Sequence, residues 1–233
     1  MNFHVLTLFP EMIEQGLGTS ITGRAMNKGL VSLHAVNIRD YAANKHKKVD
    51  DYTYGGGAGM LMQAQPVYDA CMAVQESLEK PARVVYMTPQ GSIFNQEKAK
   101  ELALEEDLII LCGHYEGIDE RVRRLVTDEV SMGDFVLTGG EIPVAAMVDS
   151  VVRLLPGVLG GGAAATANES FGADGLLEAP QYTRPPEYRG LKVPEILLNG
   201  DHAKTESWRK RQAFDLTSRN RPDLIEMGGT YTV

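Results

Sequence analysis

The chain has 233 residues, 43% of them hydrophobic, which is enough to bury the core of one large domain or of two smaller ones. The N-terminus lacks the pattern of a signal peptide, no apolar run approaches the roughly 18 residues of a membrane span, and the two cysteines lie far apart. We therefore expect a cytoplasmic protein with reduced thiols, no membrane partner and no metal site, and its net charge of −8 argues against binding of nucleic acid by the surface as a whole.

Hydrophobic periodicity predicts alternating strands and helices in the first third of the chain. Val67, Cys71, Val74 and Leu78, for example, recur at helical spacing. The predicted elements, in chain order, are a strand over residues 3–9, a helix over 11–30 broken near 16–18, a strand over 31–38, a polar loop over 39–54 and a helix over 66–78.

The same alternation continues to residue 155. In chain order, the pattern predicts a strand over 83–87 closed by a turn at 88–91, a helix over 96–104 capped by Asn95, a strand over 108–112, a short helix over 118–125, a strand over 135–137 and a helix over 142–155. Strands that alternate with helices indicate an α/β fold with a mostly parallel sheet.

The composition changes after Gly157. Glycine, alanine, serine and threonine dominate the next stretch, which predicts a flexible linker. We expect a first domain over residues 1–159, a linker over 160–175 and a small, mainly helical domain over 176–233. Within the last, a proline-rich run over 180–194 is predicted to be extended and residues 206–216 to be helical.

The C-terminal segment is locally basic. Residues 182–221 contain nine basic and five acidic side chains, so they carry +4 and the rest of the chain carries −12. Such a patch can bind phosphates on an acidic protein, because the field that matters acts within about 8 Å at physiological salt. A solvated helix face is the alternative. The residues expected to contact RNA phosphates are Lys204, Arg209, Lys210 and Arg211.

Two apolar runs end in glycine turns between residues 108 and 143. The first breaks at Gly113 into a turn rich in ionisable groups, and the second breaks at Gly139 and Gly140. In open α/β sheets, ligands sit at the carboxyl ends of strands, and glycine lets the backbone approach them closely. Either turn alone indicates an ordinary tight turn, but the two together favour a binding site.

The common nucleotide-binding motifs are absent. The sequence has neither G-x-G-x-x-G nor G-x-x-x-x-G-K-[ST]. Its densest glycine cluster, residues 55–59, follows a polar stretch and not a strand, which argues against a Rossmann phosphate loop. This cluster is interpreted as a lid or a loop of close approach, with a linker as the alternative.

A series of motifs resembles one known family. They are L-F-P-E-M at residues 8–12, T-G-R-A at 22–25, V-D-D-Y-T-Y-G-G-G-A-G-M-L-M at 49–62, C-G-H-Y-E-G-I-D-E-R at 112–121 and S-M-G-D-F-V-L-T-G-G-E-I-P at 131–143. The chain is similar, over most of its length, to the bacterial tRNA (guanine-N1)-methyltransferases, the TrmD family of SPOUT methyltransferases.

The resemblance implies a fold, a reaction and an assembly. The fold is an α/β domain with a deep trefoil knot, which general topology rules describe as exceptional. The reaction transfers a methyl group from S-adenosyl-L-methionine to N1 of the guanosine 3′-adjacent to the tRNA anticodon, position 37. The family works as a homodimer with active sites shared between subunits. tRNA is the expected partner and DNA is not. Whether Mg²⁺ assists cannot be read from the sequence.

The resemblance also implies residue roles. Guanine N1 carries a proton that a carboxylate must remove, while a guanidinium stabilises charge at O6. Glu169 matches the family's aspartate base, with Asp174 and Glu178 as alternatives, and Arg153 matches its arginine. Glu116 is expected to contact the target guanosine or its 5′ neighbour, and Gly59 to lie in the loop near the reactive centre. The expected cofactor-binding residues are Tyr86, Met87, Thr88, Pro89, Gly113, Tyr115, Glu116, Met132, Gly133, Asp134, Phe135, Val136, Leu137, Gly139, Gly140 and Pro143.

Two other functions remain open on the sequence. One is a methyltransferase of the same fold that acts on a different RNA. The other is an RNA-binding module without catalytic activity. An arginine and a linker carboxylate beside a cofactor pocket favour an enzyme over the binding module.

Overall fold

The computed structural model describes residues 1–162, 166 and 169–228, with side chains up to residue 226. Contacts within the chain divide it into two compact units, Met1–Gly160 and Gly161–Val233. The predicted linker over 160–175 lies partly outside the described residues, at 163–165 and 167–168.

A parallel sheet forms the centre of the first unit. Its strand order is β2-β1-β6-β5-β7, and every neighbouring pair runs parallel. A separate antiparallel pair, β3 and β4, encloses the glycine cluster. The strands of this unit are β1 (Asn2–Thr7), β2 (Ser32–Asn37), β3 (Asp50–Asp51), β4 (Leu61–Met62), β5 (Arg83–Ile93), β6 (Asp107–Cys112) and β7 (Asp128–Ser131). The predicted mixed α/β fold with a parallel sheet is confirmed.

Helices cover both faces of the sheet. The predicted break between the first two helices is confirmed, and Asn95 caps α4 by accepting a hydrogen bond from the Lys98 backbone N–H at 2.9 Å. The helices are α1 (Pro10–Leu17), α2 (Ser20–Asn27), α3 (Ala64–Ser77), α4 (Gln96–Leu102) and α5 (Glu141–Val152), with 3-10 helices at Ile38–Tyr41 and Glu120–Leu125.

The central strand β6 connects two hydrophobic cores. Leu108, Ile110 and Cys112 pack on the face that α1, α2, α4 and α5 cover. Ile109 and Leu111 pack on the opposite face, against α3. Both faces of the strand are buried, which explains its continuous apolar run. The chain's other cysteine, Cys71, is buried in α3.

The predicted turn at residues 88–91 was wrong in one respect, because strand β5 does not end there. Met87 and Ser92 both align with Val130 of β7, so residues 88–91 form a bulge within a continuing strand. Gly91 passes so close to β7 that an added Cβ would lie 2.3 Å from the Glu129 carbonyl carbon. Only glycine fits this crossing.

The predicted strand at residues 135–137 was also wrong. These residues form an unpaired loop in which Phe135 is 55% and Val136 is 85% exposed. The strand in this part of the chain is β7, at Asp128–Ser131. Its two acidic residues interrupt the apolar pattern by which a buried strand is recognised. Both carboxylates accept hydrogen bonds from arginines: Asp128 from Arg83, and Glu129 from Arg123.

Two smaller predictions also need correction. The predicted loop at residues 39–54 contains the 3-10 helix Ile38–Tyr41 and strand β3, so the glycine cluster does follow a strand, although one of two residues. The predicted helix at 118–125 is the shorter 3-10 helix Glu120–Leu125.

The second unit combines a short hairpin with two helices. Strands β8 (Glu187–Tyr188) and β9 (Leu191–Lys192) pair within the run that was predicted to be extended. The helix predicted at 206–216 belongs to a longer α6 (His202–Asn220), followed by α7 (Pro222–Gly228). Thr217 of α6 is buried and accepts a hydrogen bond from the Leu177 backbone at 2.9 Å. Across the described residues, no helix is long and apolar enough to cross a membrane.

Asp128 predicts an acid-sensitive contribution to stability. Burial raises the pKa of this carboxyl, but hydrogen bonds from Arg83, Thr127 and Lys98 outweigh burial and lower it to about 2. Because the pKa is lower in the folded chain, the ionised carboxylate stabilises the fold at pH values above its unfolded-state pKa of about 3.9. This stabilisation is lost as the pH falls towards 2. We expect Asp128→Asn to lower the free energy of unfolding by about 1.5–3 kcal/mol near neutral pH and by nothing below about pH 2.

Urea unfolding at several pH values measures this difference. Glu106→Gln is the matched control, because the exposed pair of Glu106 and Lys80, with 3.5 Å between charged atoms, contributes little. An Asp128→Asn deficit that stays constant with pH would contradict the assignment.

Candidate functional site

A cavity of about 400 Å³ opens at the carboxyl ends of β6 and β7, beside the bulge in β5. Its wall consists of the bulge at 88–91, the loop that follows β6, and the loop between β7 and α5. This is the edge of a parallel sheet at which ligands bind. All of the cofactor-binding residues predicted from the resemblance line this cavity except Asp134, which does not.

Close backbone contacts hold two of these loops together. The Gly140 backbone N–H donates to the Gly113 carbonyl at 2.9 Å, and His114 and Gly139 form an isolated antiparallel bridge. A Cβ on Gly140 would lie 2.7 Å from the Cys112 Cα, so a larger residue cannot occupy this position without moving backbone. The glycine turns therefore serve packing as well as access to the cavity.

A buried acid lies directly behind the cavity. Glu141, the first residue of α5, is 3% exposed and accepts a 2.7 Å hydrogen bond from the Thr7 hydroxyl. His114 Nδ1 lies 3.9 Å from the second carboxylate oxygen of Glu141 and has no hydrogen-bond partner in the described part of the chain. The sequence did not single out Glu141, because acidic residues are common in the first turn of helices.

Arg123 connects the bulge in β5 with the 3-10 helix and with strand β7. Its guanidinium donates to Gln90 in the bulge at 2.8 Å, to Glu120 in the 3-10 helix at 3.0 Å and to both carboxylate oxygens of Glu129 in β7. The hydrogen bonds that Arg123 donates to Glu129 and then to Glu120 raise the pKa of its guanidinium above the ordinary value. Sequence reasoning missed this role because Gln90, the partner in the bulge, lies 33 positions away.

Other residues line the cavity without having been predicted to bind a ligand. Most are neighbours of predicted residues in the same loops. They are Gln90, His114, Gly117, Ile118, Glu120, Arg123, Val130, Ser131 and Thr138.

The glycine-rich hairpin reaches the cavity through Glu116. The Glu116 backbone N–H donates to the Met60 carbonyl at 3.0 Å, and a Cβ on Gly59 would lie 2.5 Å from Glu116 Oε1. Gly59 also has a φ of +94°, which disfavours any other residue. The structure thus brings together Gly59 and Glu116, the residues expected near the reactive centre and the target guanosine.

The two predicted catalytic residues belong to different units. Arg153 follows α5 in the first unit, and its backbone N–H donates to the Asp149 carbonyl at 3.2 Å. Glu169 lies in the second unit and lines a separate cavity of about 360 Å³. The two alternative bases, Asp174 and Glu178, line that cavity too, together with Arg209 and Lys210 of α6. Lys204 and Arg211 are exposed on the same helix.

Residues 1–227 match the family described as tRNA (Guanine-1)-methyltransferase TrmD. The chain belongs to this family. It is 56% identical to the tRNA (guanine-N(1)-)-methyltransferase of Lachnospira eligens, covering 97% of this chain and 95% of the relative. The protein of the same name from Bacillus pumilus is 54% identical over 100% of this chain and 95% of its own length.

The contact between Gly140 and Cys112 predicts that this TrmD-family chain tolerates no side chain at Gly140. Gly140→Ala must separate the loop after β6 from the start of α5, and we expect a loss of about 1–3 kcal/mol in the free energy of unfolding. Affinity for S-adenosylmethionine, measured by calorimetry, should fall as well because two cavity loops move.

Gly160→Ala is the matched control. An added Cβ at Gly160 has no neighbour within 4 Å, so stability and affinity should stay at the wild-type level. Equal behaviour of the two variants would show that the close approach at Gly140 is not required.

Proposed function

We propose that the chain transfers a methyl group from S-adenosyl-L-methionine to N1 of the guanosine at position 37 of tRNA, adjacent to the 3′ side of the anticodon. One observation carries this proposal. In a chain that matches the TrmD family over residues 1–227, nearly all residues expected to bind the cofactor line a single cavity at the carboxyl end of the sheet.

The residues around the cavity fit the proposed donor. Its volume of about 400 Å³ lies in the range of small-molecule sites, and such sites combine apolar walls with a few polar groups. Val136, Leu137 and Pro143 supply apolar surface, while the glycines at 113, 139 and 140 leave backbone groups accessible. When bound, the sulfonium compound supplies an electrophilic methyl group. The protein holds this group in place and excludes water from it.

The protein's own contribution to the chemistry is proton transfer and charge stabilisation. We assign Glu169 as the base that removes the N1 proton, and Arg153 as the cation that stabilises negative charge at O6. Gly59 and Glu116 border the guanine. Lys204, Arg209, Lys210 and Arg211 on α6 contact tRNA phosphates, for which their exposure suits them.

The assembly follows from the same proposal. We infer a knotted SPOUT fold for residues 1–159 and a homodimer in which Glu169 of one subunit serves the cavity of the other. Arg153 lies in the first compact unit and Glu169 in the second. A tRNA substrate also implies that the enzyme works in the cytoplasm.

Methyl transfer to unmodified tRNA transcripts tests the function. The purified chain should methylate a transcript with guanosine at position 37 and leave a matched transcript with adenosine at that position unmodified. Nucleoside mass spectrometry should identify 1-methylguanosine as the product. Methylation of both transcripts at some other position would indicate a different RNA target, and binding without transfer would indicate a binding module.

Glu169→Gln tests the assignment of the base. The amide keeps the size of the side chain but cannot accept the N1 proton, so single-turnover rates should fall by at least about 10²-fold. Affinity for S-adenosylmethionine should stay unchanged, because Glu169 lies outside the residues that line the first cavity. Asp174→Asn and Glu178→Gln are the matched comparisons. A larger loss of rate in either would transfer the role of base to that residue.

A further inference from the structure

Two tyrosines on the glycine-rich hairpin are exposed to an unusual degree. Tyr52 is 78% exposed and Tyr54 is 102% exposed. Neither ring stacks on another aromatic ring within the described residues. A single exposed aromatic side chain is common on protein surfaces, but two within three positions on one loop indicate an interaction surface.

The base of the hairpin is firmly attached beside the first cavity. Asp50 and Asp51 of β3 pair with Met62 and Leu61 of β4, and the Met62 backbone N–H donates to the Gly117 carbonyl at 3.0 Å. Gly117 itself lines the cavity. The loop that carries Tyr54 therefore begins and ends at fixed points next to the cavity.

The loop between these points is partly preformed. The Thr53 hydroxyl donates to the Gly56 carbonyl at 3.2 Å, and the Gly56 N–H donates back to the Thr53 carbonyl at 3.4 Å. Gly55, Gly56 and Gly57 all have positive φ values, which suit glycine and turn the chain sharply after Tyr54. A preformed turn reduces the entropy lost when the exposed ring binds a partner.

Basic side chains lie next to the base of the hairpin, where Lys48 and Arg121 each pair with a carboxylate. Lys48 Nζ lies 3.7 Å from Asp51 Oδ1, and residues 45–48 add further lysines. Arg121 is exposed, and Asp119, which donates its backbone N–H to the Met62 carbonyl, holds the guanidinium. Exposed aromatic rings among cations are the arrangement that binds single-stranded nucleic acid, since rings stack on bases and cations attract phosphates.

We propose that Tyr54 stacks on an unpaired base of the tRNA anticodon loop, at a nucleotide that flanks the target guanosine. The proposal rests on the proposed function, because it takes tRNA as the substrate. The hairpin lies beside the cavity through Gly59 and Glu116, so a base on Tyr54 is a neighbour of the base at the cavity. Stacking there fixes the position of the loop without reading its sequence.

Binding of tRNA by Tyr54→Ala and Tyr54→Phe tests the stacking. Stacking on an aromatic ring contributes roughly 1–3 kcal/mol per base, so the alanine variant should bind about 5- to 160-fold more weakly. The phenylalanine variant should bind within about twofold of the wild type, because the ring is kept. Affinity for S-adenosylmethionine and the unfolding midpoint should not change in either. Equal affinities of the alanine and phenylalanine variants for tRNA would overturn the proposal.

The dependence of affinity on salt separates stacking from charge. Tyr54→Ala should shift the plot of log Kd against log salt without altering its slope. Lys48→Ala should instead reduce the slope by about 0.7–0.9, the change expected for one lost phosphate contact. A reduced slope in Tyr54→Ala would mean that the tyrosine acts by orienting cations, which contradicts stacking.

Substrates that lack one base locate the contact. Full-length tRNA is prepared with an abasic nucleotide at position 36 or at position 38. The wild type and Tyr54→Ala should have equal affinity for one of these two tRNAs, because that tRNA lacks the base on which Tyr54 stacks. If Tyr54→Ala binds both abasic tRNAs more weakly than the wild type, by the same factor as it binds intact tRNA, the assignment is overturned. A change in oligomeric state on sedimentation of Tyr54→Ala would also overturn it, because that change would place the ring between two copies of the chain.

The wild-type methylation assay keeps this proposal distinct from the proposed function. If no guanosine is methylated, the proposed reaction fails, and the binding comparison still decides whether Tyr54 stacks on RNA. If methylation occurs and the binding of Tyr54→Ala is unchanged, only the stacking fails.

Discussion

The contact between the Gly113 and Gly140 backbones is the constraint on which the first cavity depends. It brings the loop after β6 against the start of α5, with 2.9 Å between the Gly140 nitrogen and the Gly113 oxygen. The contact fixes where α5 begins, and therefore where Glu141 is buried and where the loop from 133 to 139 must pass. The alignment of β6 between two cores makes this possible, because a strand buried on both faces cannot shift to relieve crowding at its end.

The sequence predicted most of the fold because most elements follow a simple period. Strands β1 and β6 are continuous apolar runs, and α3 repeats apolar residues at helical spacing. The missed strand β7 and the wrongly predicted strand at 135–137 share one physical cause. Strand β7 contains Asp128 and Glu129, whose charges are neutralised by Arg83 and Arg123 from elsewhere in the chain, while the apolar residues 135–137 stay exposed in a loop. A pattern of hydrophobicity cannot anticipate partners that only the folded chain supplies.

The candidate site, like the fold, was predicted where the signal is local in the sequence and missed where it depends on distant contacts. Gly113 after β6 and the glycine pair before α5 identified two of the loops, although the apolar run before that pair is not a strand. The resemblance to a family supplied the individual residues. The contributions of Arg123, Glu141 and His114 depend on contacts between distant segments, such as the one between Thr7 and Glu141, so no local spacing revealed them. Arg123 in particular acts across three elements, and this explains why a side chain without an expected role in catalysis lies at the cavity wall.

The burial of both cysteines has a practical consequence for labelling. Burial raises the pKa of the Cys71 thiol to about 11, and that of Cys112 rises as well, through burial and the nearby Glu141 charge. The thiolate is the form that reacts with alkylating reagents and peroxide, so at neutral pH both sulfurs are almost inert. The native chain can therefore serve directly as a background for single-site spectroscopy. A fluorophore or spin label attached to a cysteine introduced on the surface would report on that position alone, with no need to remove Cys71 or Cys112 first.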